Sequence, residues 1–211
     1  MSGPVVTRAI AEPPGLPATP VSFEEFLAWA DEDTHAEWVD GRIILMSPVS
    51  IDHQRLLLFL YEILNWYVRA RQLGEVLVAP VQMRLSTRPS GREPDLLFVA
   101  TGHADRLRET YLDGPADLVI EIVSPESDER DRGEKFLEYE AAGITEYWLI
   151  DALRQEAAFY QLGPDGRYHP GLIEAGGVYQ SAVLPGFWLR VGWLWQRPLP
   201  PVAEITRLIE A

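Results

Sequence analysis

Two carboxylates and one lysine stand where such groups are costly or rare. Glu121 interrupts the apolar, β-branched run Asp117-Leu118-Val119-Ile120-Glu121-Ile122-Val123-Ser124-Pro125, which Gly114-Pro115 and Ser124-Pro125 bound. An unbroken run of this kind reads as a strand covered on both faces, so Glu121 is expected to lie largely buried. Strand side chains alternate, which puts Glu121 on one face with Val119 and Val123 and turns Leu118, Ile120 and Ile122 the other way. A buried carboxylate needs hydrogen bonds, a cationic partner or a metal. The plainer alternative is a strand-end Glu, hydrogen-bonded or half solvated. Asp95 follows Pro94 at the entrance of a second apolar strand, Leu96-Leu97-Phe98-Val99, where proline is tolerated. Lys135 is the only lysine among 18 basic residues. Arginine is a permanently charged planar fork and lysine a compact charge with a tunable pKa, so the place of the sole lysine is informative unless coding bias alone removed the others.

Two carboxylates on adjacent strands suit a hard cation such as Mg²⁺ or Mn²⁺, which takes one or two protein oxygens and keeps its other positions for water and a phosphate. The strand backbone can add a carbonyl, that of Ile122. Such a metal stabilises charge on a scissile phosphate and lowers the pKa of a bound water, while a lysine beside it orients that water or meets the developing charge. The chemistry is hydrolysis without a protein nucleophile.

The elements that must position these groups follow from local pattern. Ser22-Phe23-Glu24-Glu25 fits a capping box opening a short helix. Ala36-Glu37-Trp38-Val39 and Arg42-Ile43-Ile44-Leu45-Met46 flank Asp40-Gly41, a two-residue hairpin signal that puts Glu37 on a strand near the turn. From Ile51 to about Gln72 apolar residues recur at helical spacing, with Gly74 as the stop, and His53 in the first turn tilts toward the buried stripe. That histidine is either a packed residue with one hydrogen bond or a phosphate-facing group. Glu75 to Leu85 reads as one strand, Ser86 to Arg92 as a polar loop and Thr101 to Ala116 as a polar connection. Ser127-Asp128 caps a helix running to about Ala142 and closed by Gly143, with Arg132, Lys135 and Tyr139 along one face; that face is otherwise an ordinary solvated charge stripe. Glu146 to Asp151 is a further strand. Residues 157–162 and 167–173 form a hairpin around Gly163-Pro164-Asp165-Gly166, and a tryptophan-rich strand and turn precede a final short helix.

A chain of 211 residues with 47% apolar content favours one domain of ordinary size. Without cysteine, disulfides and thiolate-bound zinc are excluded. No apolar run approaches the roughly 20 residues of a membrane span and no secretory leader pattern opens the chain, so a cytoplasmic protein with no membrane partner is expected. A net charge of −14 opposes non-specific binding to polyphosphate. Arg88, Arg92, Arg130 and Arg132 could still line a cleft for a phosphate chain, because the local field decides contact.

Pro94-Asp95 and the spaced Glu121 resemble the PD-(D/E)XK nuclease superfamily and, within it, the Uma-type putative restriction endonucleases. The likeness also takes in Glu37-Trp38-Val39-Asp40-Gly41-Arg42-Ile43, Met46-Ser47-Pro48, His53, Leu118 to Pro125, Asp131, Lys135, Tyr139, Gly143-Ile144, Glu146 to Asp151 and Leu184-Pro185-Gly186. It spans roughly residues 20 to 196. It implies an α/β, restriction-endonuclease-like fold, a mixed central β-sheet flanked by helices, with an N-terminal hairpin and C-terminal β-hairpin additions. A flexible arm over residues 1–19 would precede that domain, and a Pro-rich spacer with a short helix, residues 197–211, would follow it. The implied activity is Mg²⁺-dependent (or Mn²⁺-dependent) endonucleolytic hydrolysis of DNA, with Asp95, Glu121 and the Ile122 carbonyl on the metal. Where the superfamily usually carries its catalytic lysine, two positions after Glu121, this chain has Val123; the resemblance places the lysine instead at Lys135. Glu37 would be a further carboxylate or water-orienting base near the metal, or else a surface residue at the hairpin edge, and His53 an accessory group. Other readings are a catalytically silent binding module that forms a homodimer through its Trp-rich end, and a metal-dependent phosphohydrolase acting on small nucleotides.

Overall fold

Asp40 and Gly41 turn the chain with φ of +49° and +79°, the left-handed pair a two-residue type I′ hairpin requires. They join β1 (Ala36–Val39) to β2 (Arg42–Leu45) in the expected register, Val39 opposite Arg42. A computed structural model describes residues 15–18, 20–31, 34–125 and 127–210, so the expected N-terminal arm lies largely outside the described residues. Helix α1 (Phe23–Trp29) carries the full capping box of Ser22 and Glu25 and packs Phe23 and Phe26 on Trp38 of β1. Helix α2 (Ile51–Ala70) follows, buried along the stripe that its spacing foretold.

The stretch expected to be one strand, Glu75 to Leu85, is two: β3 (Gly74–Val78) and β4 (Gln82–Leu85), which belong to different sheets. Pro80 falls between them, and a residue without an N–H cannot continue a ladder. The expected polar loop after β4 contains β5 (Ser90–Arg92), paired with both β1 and β4. Then come β6 (Leu96–Ala100), a 3₁₀ turn at 101–106, β7 (Tyr111–Asp113) and β8 (Leu118–Ile122). The helix expected from 128 to 142 is interrupted: after a first α-helical step at 128–129, Arg130–Glu134 is a π turn, and regular α-helix follows from Lys135 to Ala142 (α3). Strands β9 (Glu146–Asp151), β10 (Glu156–Leu162) and β11 (Tyr168–Pro170) form the next meander; β12 (Ile173–Glu174), β13 (Val178–Gln180) and β14 (Trp188–Arg190) make a separate small sheet, so the expected second hairpin arm ends at residue 170.

The main sheet has the order β11-β10-β9-β8-β6-β3, with β8 and β9 parallel and the other pairs antiparallel; the second has the order β2-β1-β5-β4-β7. The alternation expected of β8 holds. Leu118, Ile120 and Ile122 pack with α2, the small sheet and α4 (Val202–Glu210), while Val119 and Val123 pack with Met83, Tyr139 and Tyr147 on the opposite face. Ile205 and Ile209 of α4 sit in the main core, so this helix is part of the packing and not an appendage beyond a spacer. Trp193 is likewise buried there.

Gly74 opens β3 opposite Ala100, where a Cβ would lie 2.0 Å from the Val99 carbonyl oxygen. Gly74→Ala is therefore expected to lower stability by about 1–3 kcal/mol or more, measured by urea unfolding, because backbone must move apart at a sheet edge.

Candidate active site

Pro94 and Asp95 enter β6 beside the end of β8. The β6–β8 register pairs Leu96 with Ile120, and two residues further along each strand the same register sets Pro94 opposite Ile122. Proline has no N–H, so Ile122 receives no ladder bond there, and its own N–H donates to Asp95 Oδ2 at 2.6 Å. In an antiparallel ladder the N–H and carbonyl of one residue point to the same side. The Ile122 carbonyl therefore faces the Asp95 side of the strand, free of a β6 donor. His53 Nε2, from the first turn of α2, lies 3.2 Å from the same Asp95 oxygen. His53 is buried and makes this one side-chain hydrogen bond; among the described residues its Nδ1 has no partner.

Glu121 is 3% exposed, and its Oε1 accepts from Lys135 Nζ at 2.9 Å and from the Tyr139 hydroxyl at 2.8 Å. Lys135 is equally buried and also contacts Glu37 Oε1 at 2.9 Å and Asp131 Oδ1 at 3.5 Å. The π turn contributes to this gathering: its wider winding brings residues four apart closer to alignment, and Asp131, Lys135 and Tyr139 all turn inward. A solvated charge stripe is excluded for Lys135 and Tyr139. Glu37 is wholly buried between β2 and β5 and is no hairpin-edge surface residue.

Charge is unevenly balanced here. Burial pushes the Glu121 carboxyl up, Lys135 pulls it back, and Asp131, Asp95 and Glu37 add repulsion, leaving it at about 8. Burial would lower the Lys135 ammonium, yet Glu121, Glu37 and Asp131 hold it well above its ordinary value. Burial would raise Glu37, but Lys135 and Arg92 bring it down to about 2.

Asp95, Glu121, Ile122, Asp131, Lys135 and His53 line one cleft of about 690 Å³. Among the described residues no set of three or more His, Cys, Asp or Glu side chains is placed to cage a metal ion. Two carboxylates and a carbonyl instead match an ion that keeps most of its water, and the surplus of carboxylates over ammonium, with Asp131 Oδ1 buried without a hydrogen-bond donor among the described residues and Lys135 3.5 Å away, is the imbalance a divalent cation relieves.

Of the four arginines expected at a phosphate path, only Arg130 lines this cleft. Arg92 is fully buried against Glu37, Glu134 and Glu138, so no substrate reaches it. Arg88 is paired with Asp40 and Glu134, and Arg132 with Asp128 and Asp151. Sequence reasoning missed Arg197, which lines the cleft from a distant segment, and gave Asp131 and Tyr139 no role. Their spacing of four residues on either side of Lys135 was the available signal.

A family model described as Uma2, putative restriction endonuclease, matches residues 23–192. An uncharacterized protein of Synechocystis sp. is 26% identical over 159 residues, 74% of this chain and 82% of that protein. Among solved structures, a putative nuclease belonging to DUF820 from Anabaena variabilis superposes with a TM-score of 0.69 at 18% identity, covering 83% of this chain and 98% of that one, a likeness of fold.

Proposed function

The chain belongs to the Uma2 family of putative restriction endonucleases, and from that premise we propose that it hydrolyses DNA phosphodiester bonds with Mg²⁺ or Mn²⁺ as cofactor. The observation that carries the reading is the convergence on one cleft of Asp95, Glu121 and Lys135, three groups from separate elements, with Asp95 and Glu121 joined through the Ile122 peptide and its neighbour. Asp95, Glu121 and the Ile122 carbonyl would hold the ion, whose chemistry is to neutralise charge on the scissile phosphate and acidify a bound water. His53 restrains the Asp95 carboxylate by its hydrogen bond. Lys135 holds Glu121 and Glu37 at 2.9 Å, and its third proton, with Asp131 Oδ1 3.5 Å from the nitrogen, would serve a water or phosphate oxygen in the cleft. Arg130 and Arg197 give the cleft wall its local positive charge against the overall −14. With so few cations, affinity for DNA is expected to be modest and to depend weakly on salt.

The test is cleavage of supercoiled and linear DNA with Mg²⁺ or Mn²⁺ and with chelator. Wild type is expected to cut only with metal, and Asp95→Ala to cut at least about 10²-fold more slowly. Equal rates for the two proteins, or no cutting of any DNA by wild type, would sink the reading.

A further inference from the structure

Arg92 and Glu37 are the most deeply buried charges near the cleft, and neither lines it. Both come from the second sheet, β5 and β1, and reach across to α3 and the π turn before it. Arg92 donates through Nη1 to Glu37 Oε2 at 2.9 Å, through Nε and Nη2 to Glu138 Oε2 at 3.1 and 2.6 Å, and through Nη2 to Glu134 Oε1 at 3.0 Å. Ser90 Oγ fastens the other Glu138 oxygen. Glu37 turns its second oxygen to Lys135 Nζ at 2.9 Å, and that oxygen also takes the Glu93 N–H at 3.4 Å. Lys135 in turn reaches Glu121. The result is an unbroken chain, Arg92 to Glu37 to Lys135 to Glu121, from the core of one sheet to the cleft of the other.

We propose that Arg92 and Glu37 are a positioning pair that fixes the Lys135 ammonium against Glu121, neither of them touching substrate. For its purpose the inference rests on the nuclease reading. A lysine ends in a point charge on a four-carbon stem with much rotamer freedom. Val123 occupies the strand position from which a shorter reach would suffice, so a helix-borne lysine needs a second anchor. Glu37 supplies it: of three ammonium protons, one goes to Glu121 and one to Glu37, which fixes the direction of the third. Arg92 keeps Glu37 from turning, and its planar fork holds Glu37 and Glu138 at fixed angles, which a lysine in its place could not do. This reassigns both residues: Arg92 is no phosphate contact and Glu37 no base acting on water.

Because Lys135 is the only lysine, lysine-specific ¹⁵N labelling of the full chain reports on this one ammonium. Wild type is expected to give a single side-chain ammonium signal protected from exchange with water. In Glu37→Gln and in Arg92→Gln that signal should shift and exchange at least about tenfold faster, while kcat for DNA falls about 10–100-fold and KM stays within about twofold, the pattern of a misplaced group and not of a lost binding contact. A purely structural role would lower only the folded fraction and leave the signal of the folded protein and its kcat unchanged; that result overturns the proposal. Should Arg92→Gln fail to fold, Glu37→Gln decides alone, since its amide keeps the volume of the carboxylate. If wild type cuts no DNA, the nuclease reading falls, yet the ammonium signal still decides whether the pair positions Lys135.

Discussion

Lys135→Met is expected to cost about 3–5 kcal/mol of stability at pH 8, besides abolishing metal-dependent cutting. The methionine fills most of the space of the stem, so the loss is one of charge. It leaves Glu121, Glu37 and Asp131 buried together with their shared cation gone. Two of the three can escape by taking up protons, because burial and mutual repulsion already raise the Glu121 and Asp131 carboxyls above their ordinary values. Glu37 keeps Arg92. The sign of the pH dependence follows: a carboxyl whose folded pKa is raised contributes stability that is present below its unfolded pKa and is lost as pH rises through the folded value. In metal-free buffer the mutant should therefore approach wild type near pH 5 and fall furthest behind it near pH 8 to 9. Urea unfolding followed by tryptophan fluorescence measures this. A deficit under about 1 kcal/mol at pH 8 would mean that the ammonium does not balance these carboxylates. The double variant Lys135→Met/Glu37→Gln should lose less than the sum of its parts, since the two changes remove opposite charges from one contact.

Where local pattern and the interior agree, the sequence was legible. The alternation of β8, the Asp40-Gly41 turn, the capping box of α1 and the buried stripe of α2 each follow from chemistry within a few residues, and each is found. The second sheet was the failure. Ser90-Gly91-Arg92 has neither apolar alternation nor β-branched residues, so it read as a polar loop; yet all three residues are buried, Ser90 and Arg92 because the interior they enter is ionic and Gly91 against the Phe23 ring on the other face. Patterning by hydrophobicity cannot detect a core built from Arg92, Glu37 and Glu138. The hairpin-edge alternative for Glu37 fails on the same sheet: a strand of a two-residue hairpin looks like an edge until a third strand, β5, is known to cover it. Pro80 was visible, but its consequence, a change of sheet, depends on partners far along the chain. In the cleft, Asp95, Glu121 and Lys135 could be singled out as costly or rare residues, whereas Arg197 belongs to a segment whose position is set only by long-range packing.

Glu146→Ala is expected to be comparably destabilising, by about 4–5 kcal/mol, with no direct contact to the cleft. Glu146 opens β9 and is fully buried, and none of the described cations forms an ion pair with it. Five donors converge on it instead. The Trp148 indole and the Tyr179 hydroxyl donate to Oε1 at 2.6 and 2.7 Å; the Ser181 hydroxyl and the backbone N–H groups of Ala182 and Val183 donate to Oε2 at 2.9, 2.7 and 3.0 Å. A carboxylate accepts without donating, so no neutral side chain of its size serves all five. These bonds tie the main sheet to β13 and to the turn that leads into β14, and thereby fix the stacked Phe159 and Tyr179 rings, 3.8 Å between centroids. Alanine would strip five donors of their acceptor, each unsatisfied group costing about 1–3 kcal/mol before water reaches some of them, against a total stability of about 5–15 kcal/mol for a domain. Glu146→Gln should lose roughly half as much: one oxygen survives, but the amide nitrogen that replaces the other meets donors. Urea unfolding gives the magnitude, and hydrogen exchange locates it, with the Ala182 and Val183 amides losing protection before those of β8. Uniform loss across both sheets would show instead that the small sheet is held by its apolar contacts, and that Glu146 is a satisfied carboxylate and not the fastening between them.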